Sequence, residues 1–190
     1  MPGFTTHYLF GAEAYKRVQD MNTKKLIKAH SHAYGLGLQG PDVFFYHVPS
    51  YFMNKKNIGA VAHRERVQLF FQNLLEARCD YAKNGVAFSV KGYSKGDVLA
   101  AMDAYICGFI GHYTLDTLTH PYIYALTDYD PAFPPEGKKY FGVHAYLETE
   151  IDNELLWLKK GLLPSQFHED DTIRLSLLEQ YAVSHLLGKA

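Results

Sequence analysis

The chain reads as all-α, a single multi-helix domain over residues 1–190. Three observations carry that expectation. Long stretches repeat apolar residues at the helical period. No stretch of any length alternates apolar with polar residues, so a sheet is not expected. Strong breakers such as Gly85, Gly161 and Pro164 fall where the periodic stretches end. A chain of 190 residues is also long enough to bury one sizeable core.

Residues 7–20 and 23–33 read as two short helices. Residues 34–58, rich in Gly, Pro and aromatics, read as irregular. Val61, Val67, Phe70, Phe71, Leu74 and Leu75 predict one helix over 60–83, with a loop over 84–93. Ser94-x-x-Asp97 is a capping-box pattern that opens the next helix. That helix is expected to stop near Thr119, because Pro121 restricts His120. A Pro-rich loop over 127–138 follows, then a helix over 140–160 and a last one over 170–187. There are no repeats and no low-complexity tract.

The composition is that of an ordinary globular chain, 47% hydrophobic and 21% charged. The net charge of −1 offers no basic footprint, so no stable nucleic-acid partner is expected. Cys79 and Cys107 lack a CxxC context and read as buried, reduced thiols. The segment MPGFTTHYLFG does not look like a signal peptide, and no apolar stretch approaches 18 residues by inspection. The expectation is a cytoplasmic protein with no membrane span, peripheral contact with a membrane staying open.

Ten histidines in a near-neutral chain are unusual. His112, Asp116 and His120 recur at intervals of four inside apolar sequence, and His144 and Glu148 repeat the interval. That interval puts side chains on one helix face. Ionisable groups on an apolar face are costly to bury unless something pairs with them, and a metal ion is an economical partner. From the helical rise, the Cα atoms of His112 and His120 stand about 12 Å apart and each about 6 Å from Asp116. The two histidines cannot easily share one ion, and since a carboxylate has two oxygens that can bridge two ions, the spacing suggests a multinuclear site with Asp116 near its centre.

His7, Asp42 and His63 are weaker candidates. Taken singly, each has a plain structural alternative: a helix histidine, a turn cap after Pro41, and a solvated helix histidine. Other patterns carry less. Gly35-x-Gly37-x-x-Gly40 follows a helix instead of a strand, so the dinucleotide-binding context fails, and its glycines more plausibly turn the chain to deliver Asp42. His30 and His32 point to different faces and read as surface residues. HExxH, ExxH and an HD pair are all absent.

Thr6-His7, Gly40-Pro41-Asp42, His63, His112-x3-Asp116, His120 and His144-x3-Glu148 together resemble, in order and type, the zinc-dependent phospholipase C family. Its fold also serves the S1/P1-type nucleases. The resemblance implies an all-α fold of that type with a trinuclear zinc site between helices. Asp42, His63, His112 and Asp116 look like ligands of one ion. Asp116 looks like the bridge to a second, which takes His7. His120, His144 and Glu148 look like ligands of the third. Secreted members begin with a Trp whose backbone completes the second site. This chain begins Met-Pro-Gly-Phe and its only Trp is Trp157, so two or three zinc ions are expected.

The implied function is a zinc-dependent phosphoric ester hydrolase, a phospholipase C-like phosphodiesterase using metal-activated water. Asp42 is the expected catalytic residue, orienting or deprotonating that water. The substrate would be a small phosphodiester or a phospholipid headgroup. The alternatives are a non-catalytic zinc protein of the same fold and a P1-type nuclease. Tyr46, Tyr51, Phe52 and Tyr122 are candidates to line a substrate pocket, with core packing the expected role for most.

Overall fold

A computed structural model describes residues 3–47, 49, 57–86, 92–128 and 134–189, without the side chains of Arg64 and of 134–141. Helix dominates, and no strand occurs among the described residues, as the periodicity predicted.

Helix α1 spans Phe4–Arg17. Helix α2 spans Met21–Ala29, and the Asp20 carboxylate caps it by accepting from the Thr23 N–H at 2.7 Å. The single helix expected over 23–33 is interrupted at His30, whose backbone leaves the helical region (φ −123°, ψ 48°). Helix α3, Ser31–Leu38, then runs into the segment expected to be irregular. Its glycines are not helix breakers but spacers. A Cβ on Gly37 would lie 2.2 Å from the Tyr105 carbonyl oxygen. Helix propensity disfavours Gly by about 1 kcal/mol, but here close approach of two backbones decides.

A 3-10 segment over Gly40–Tyr46 follows α3. The helix expected over 60–83 is two helices: α4, Ile58–Arg64, and α5, Val67–Asn84. The chain turns between them at Arg66, which adopts a left-handed conformation (φ 56°). Most of the loop expected over 84–93 lies outside the described residues.

Helix α6, Lys95–Thr127, opens with the predicted capping box of Ser94 and Asp97. It does not stop near Thr119. Pro121 sits inside it and removes one backbone donor. The helix continues because Ile123 and Thr127, beyond the proline, are both buried by tertiary packing. Helix α7, Pro134–Lys160, starts earlier than the expected 140, within the segment expected to be a loop. Prolines suit a first helical turn, whose N–H groups lack partners anyway. The expected 170–187 helix is also divided, into α8, Glu169–Thr172, and α9, Leu177–Leu187. Ser176 and Glu179 form a capping box that restarts it.

Helix α6 is the axis of the molecule, packed against α3, α9, α1, α2, α7 and α5. Its first half makes the core. Val98, Ala101, Met102, Tyr105 and Phe109 are fully buried there with Leu74 of α5 and Ala182 and Leu186 of α9. The Phe109 ring lies 5.2 Å from Phe70 and 5.4 Å from both Phe71 and Tyr113. The second half of α6 carries His112, Asp116 and His120.

Three smaller expectations change. Helix α6 is in fact long and apolar enough to cross a membrane, but 56% of its apolar window is buried by the other helices, the pattern of a core helix. Cys79 is exposed and Cys107 half-buried, both as free thiols, instead of both being buried. His30 is not a surface residue: its ring is largely covered, with Nδ1 4.0 Å from the Glu179 carboxylate.

Candidate metal centre

The four-residue interval on α6 sets the frame, and four other segments bring donors to it. The Asp116 carboxylate faces two imidazoles at once. Its Oδ1 lies 3.3 Å from His7 Nε2 of α1, and its Oδ2 lies 3.2 Å from His112 Nε2. The His7 and His112 rings stack with centroids 4.2 Å apart. On the far side of His112, Asp42 Oδ1 lies 2.8 Å from His63 Nε2 and 4.0 Å from His112 Nε2. Further along α6, His120 meets His144 and Glu148 of α7, where His144 Nε2 lies 2.9 Å from Glu148 Oε1. Three donor groups result: His7 with His112 and Asp116, Asp42 with His63 and His112, and His120 with His144 and Glu148. In each, one donor atom per residue lies within 4.8 Å of the others.

Local structure explains how the donors get there. Gly40 has φ +51°, and a Cβ on it would sit 2.3 Å from the His112 ring. Only glycine lets the chain turn against that imidazole, and Asp42 follows two residues later. The Tyr113 hydroxyl donates to the Ala62 carbonyl at 2.7 Å, tying α4, and with it His63, to α6. Backbone carbonyls orient the rings. Nδ1 lies 3.1 Å from the Leu38 carbonyl oxygen in His112, 2.6 Å from that of Gly59 in His63, and 3.0 Å from that of Asp116 in His120. A carbonyl only accepts, so Nδ1 carries the hydrogen and Nε2 keeps its lone pair.

On His63 and His112 those lone pairs have no hydrogen-bond partner among the described residues. His7 Nδ1 and Nε2, His63 Nε2, His112 Nε2, Asp42 Oδ1 and Asp116 Oδ1 are all buried and unsatisfied. Buried polar atoms are normally paired, so such a convergence of imidazole nitrogen and carboxylate oxygen fits a cation. Zinc takes this mixture of ligands.

The electrostatics agree. Burial raises the Asp116 carboxyl, but the adjoining His112 and His7 rings outweigh it and hold it well below the usual carboxylate range. Burial lowers His112 too, yet the Asp116 carboxylate holds it above its ordinary value. Burial lowers His7 and His120, and takes His144 down to about 4. His7, His120 and His144, held neutral, can bind a metal without first losing a proton, whereas His112 is shifted the other way.

All eight residues singled out in the sequence thus stand in these groups. One detail differs in emphasis: His112 stands in both the His7 group and the Asp42 group, while Asp116 groups with His7 and not with Asp42 and His63. Tyr46 and Tyr122 are 86% and 66% exposed, so neither is a core residue. Tyr51 and Phe52 lie outside the described residues. Two supporting residues escaped sequence reasoning, Tyr113 and Asp152. Asp152 accepts from the first turn of α1 just before His7, and its signal was available as the next four-residue step after His144 and Glu148.

Compared with known proteins, residues 6–187 match the family model described as zinc dependent phospholipase C. No curated protein and no solved structure matches the chain.

Proposed function

The chain belongs to the zinc-dependent phospholipase C family, and from that premise we propose that it is a one-domain phosphodiesterase acting on a small phosphodiester or a phospholipid headgroup. The observation that supports this best is the run of three donor groups along α6, two of them sharing His112. Asp42, His63, His112 and Asp116 would hold one ion, Asp116 with His7 would serve a second, and His120, His144 and Glu148 would hold the third.

Zinc in these positions supplies Lewis acidity to the phosphoryl oxygens and lowers the pKa of water towards ~7. The chain's own groups do the rest. The carbonyl contacts of His63, His112 and His120 orient each ring by its Nδ1, leaving Nε2 as the atom that faces an ion. His7 and His112 are fully buried and exclude water from the floor of the site. Asp42 is only half-buried, so its carboxylate can orient the attacking water and accept its proton. A net charge of −1 favours a small diester over a polyanionic strand.

The test combines zinc analysis with a panel of diesters. The purified protein is expected to hold two to three zinc ions, one for each occupied donor group, and to cleave a lipid or aryl phosphodiester. Asp116→Asn is expected to lose zinc and to abolish cleavage. Full activity at unchanged zinc content would remove the bridging role. Cleavage of single-stranded oligonucleotide with the lipid diester left intact would turn the reading to a nuclease, and zinc without turnover to a non-catalytic protein.

A further inference from the structure

We propose that Asp152 is a positioning residue that locks α1 to α7 and so sets the spacing between His7 and the His144–Glu148 pair. It rests on the metal-centre reading above and adds a role outside the ligand set. Its Oδ1 accepts from the Thr6 N–H at 2.9 Å and from the Thr6 hydroxyl at 2.5 Å, and its Oδ2 from the Thr5 N–H at 3.2 Å. Both oxygens are committed to α1, so Asp152 is not a metal ligand.

The first N–H groups of a helix have no partner within the helix. The N-cap residue of α1 is Gly3, which has no side chain to offer. A carboxylate from another helix takes that place, where both the charge and the helix dipole favour it. A Cβ on Gly3 would lie 2.1 Å from Asp152 Oδ2, so any larger residue there would push the carboxylate aside. Glu169 of α8 adds a weaker brace, accepting from the Thr5 hydroxyl at 3.3 Å.

The consequence follows from rigidity. His144, Glu148 and Asp152 are successive four-residue steps on one helix. His7 directly follows Thr6. The clamp therefore references His7 to the same rigid rod that carries two ligands of the neighbouring group. Helix α1 packs more against α7 than against any other helix, so this is where its position is decided. Reacting groups misplaced by about 1 Å lose rate by about 100-fold, so a fixed separation matters for chemistry spread over two groups.

The test reads metal binding as well as turnover. Zinc affinity is measured by chelator competition and ligand geometry by the visible spectrum of the cobalt form, in the wild type, Asp152→Ala, Gly3→Ala and Ser94→Ala. Ser94→Ala removes a helix cap at the start of α6 and is the control for simple loss of stability. Asp152→Ala is expected to weaken the most loosely held ion about 10–100-fold, as loss of an outer-sphere partner does. Its cobalt bands should shift and its kcat should fall more than its KM changes. Gly3→Ala displaces the same carboxylate with Asp152 intact and should reproduce the shift. Ser94→Ala should leave affinity and spectrum unchanged. In a His7→Ala background the effect of Asp152→Ala should vanish. Wild-type affinity and spectrum in both Asp152→Ala and Gly3→Ala would overturn the proposal, and so would a loss of equal size without His7. A wild-type protein that binds no zinc would instead overturn the metal-centre reading itself.

Discussion

Gly40 shows how much of the centre hangs on single residues. Its left-handed backbone and its contact with the His112 ring permit no side chain. Gly40→Ala incurs about 1–2 kcal/mol for the backbone conformation alone, and its methyl group pushes on a ligand. The expected outcome is a lower Tm together with weaker zinc binding, followed by thermal melts and zinc titration; unchanged zinc affinity would separate Gly40 from the site. At this scale the sequence was most informative where the signal is local. The His112–Asp116–His120 interval speaks for itself, because a helix converts spacing into a shared face. His7, Asp42 and His63 have no such interval, and singly they looked structural; only the family pattern joined them to it. Asp152 was legible as a third position on the α7 stripe, yet nothing local says that its partners are backbone N–H groups of α1.

At the scale of elements, the crossing of α3 over α6 is the tightest joint. A Cβ on Gly108 would lie 2.1 Å from the Tyr34 carbonyl oxygen, and one on Gly37 meets α6 in the same way. Backbone cannot move aside as a flexible side chain can, so Gly108→Ala should destabilise by about 1–3 kcal/mol, the cost of overpacking. Urea denaturation checks it, and an unchanged midpoint would mean that the two helices separate freely. Close backbone approach explains the misread segment. Glycines at 35 and 37 look like breakers when only neighbours in sequence are considered, whereas Gly37 admits the backbone of α6 and Gly35 that of Thr172 at the end of α8. Pro121 was misread for the same kind of reason, since burial of Ile123 and Thr127 outweighs one missing hydrogen bond. The break at Arg66 has no comparable sequence signal.

For the molecule as a whole, the metal centre should be part of the folding energy. Removing the ions leaves buried donors unpaired, and ligands that bind only the native state stabilise it by mass action. Chelation is expected to lower Tm by several degrees, reversed by zinc; a chelated protein with unchanged Tm would argue against structural coupling. Acid should act on the chelated form as well. Burial lowers His7, His120 and His144 in the folded state, so the unfolded chain takes up protons first. The stability linked to these groups is fully present above the ordinary value of 6.5 and is lost as pH falls towards about 4, the folded value of His144. His112, held above its ordinary value beside Asp116, acts in the opposite direction and offsets part of the loss. Thermal melts of the chelated protein between those limits check the sign. By itself the sequence determined the all-α class and the stripe of donors on α6 and α7, because periodicity and capping are properties of neighbouring residues. Only the tertiary structure decided which donors close into groups, where α3 and α6 touch and how α1 is clamped, because those contacts join residues on different elements, as far apart in the chain as Thr6 and Asp152.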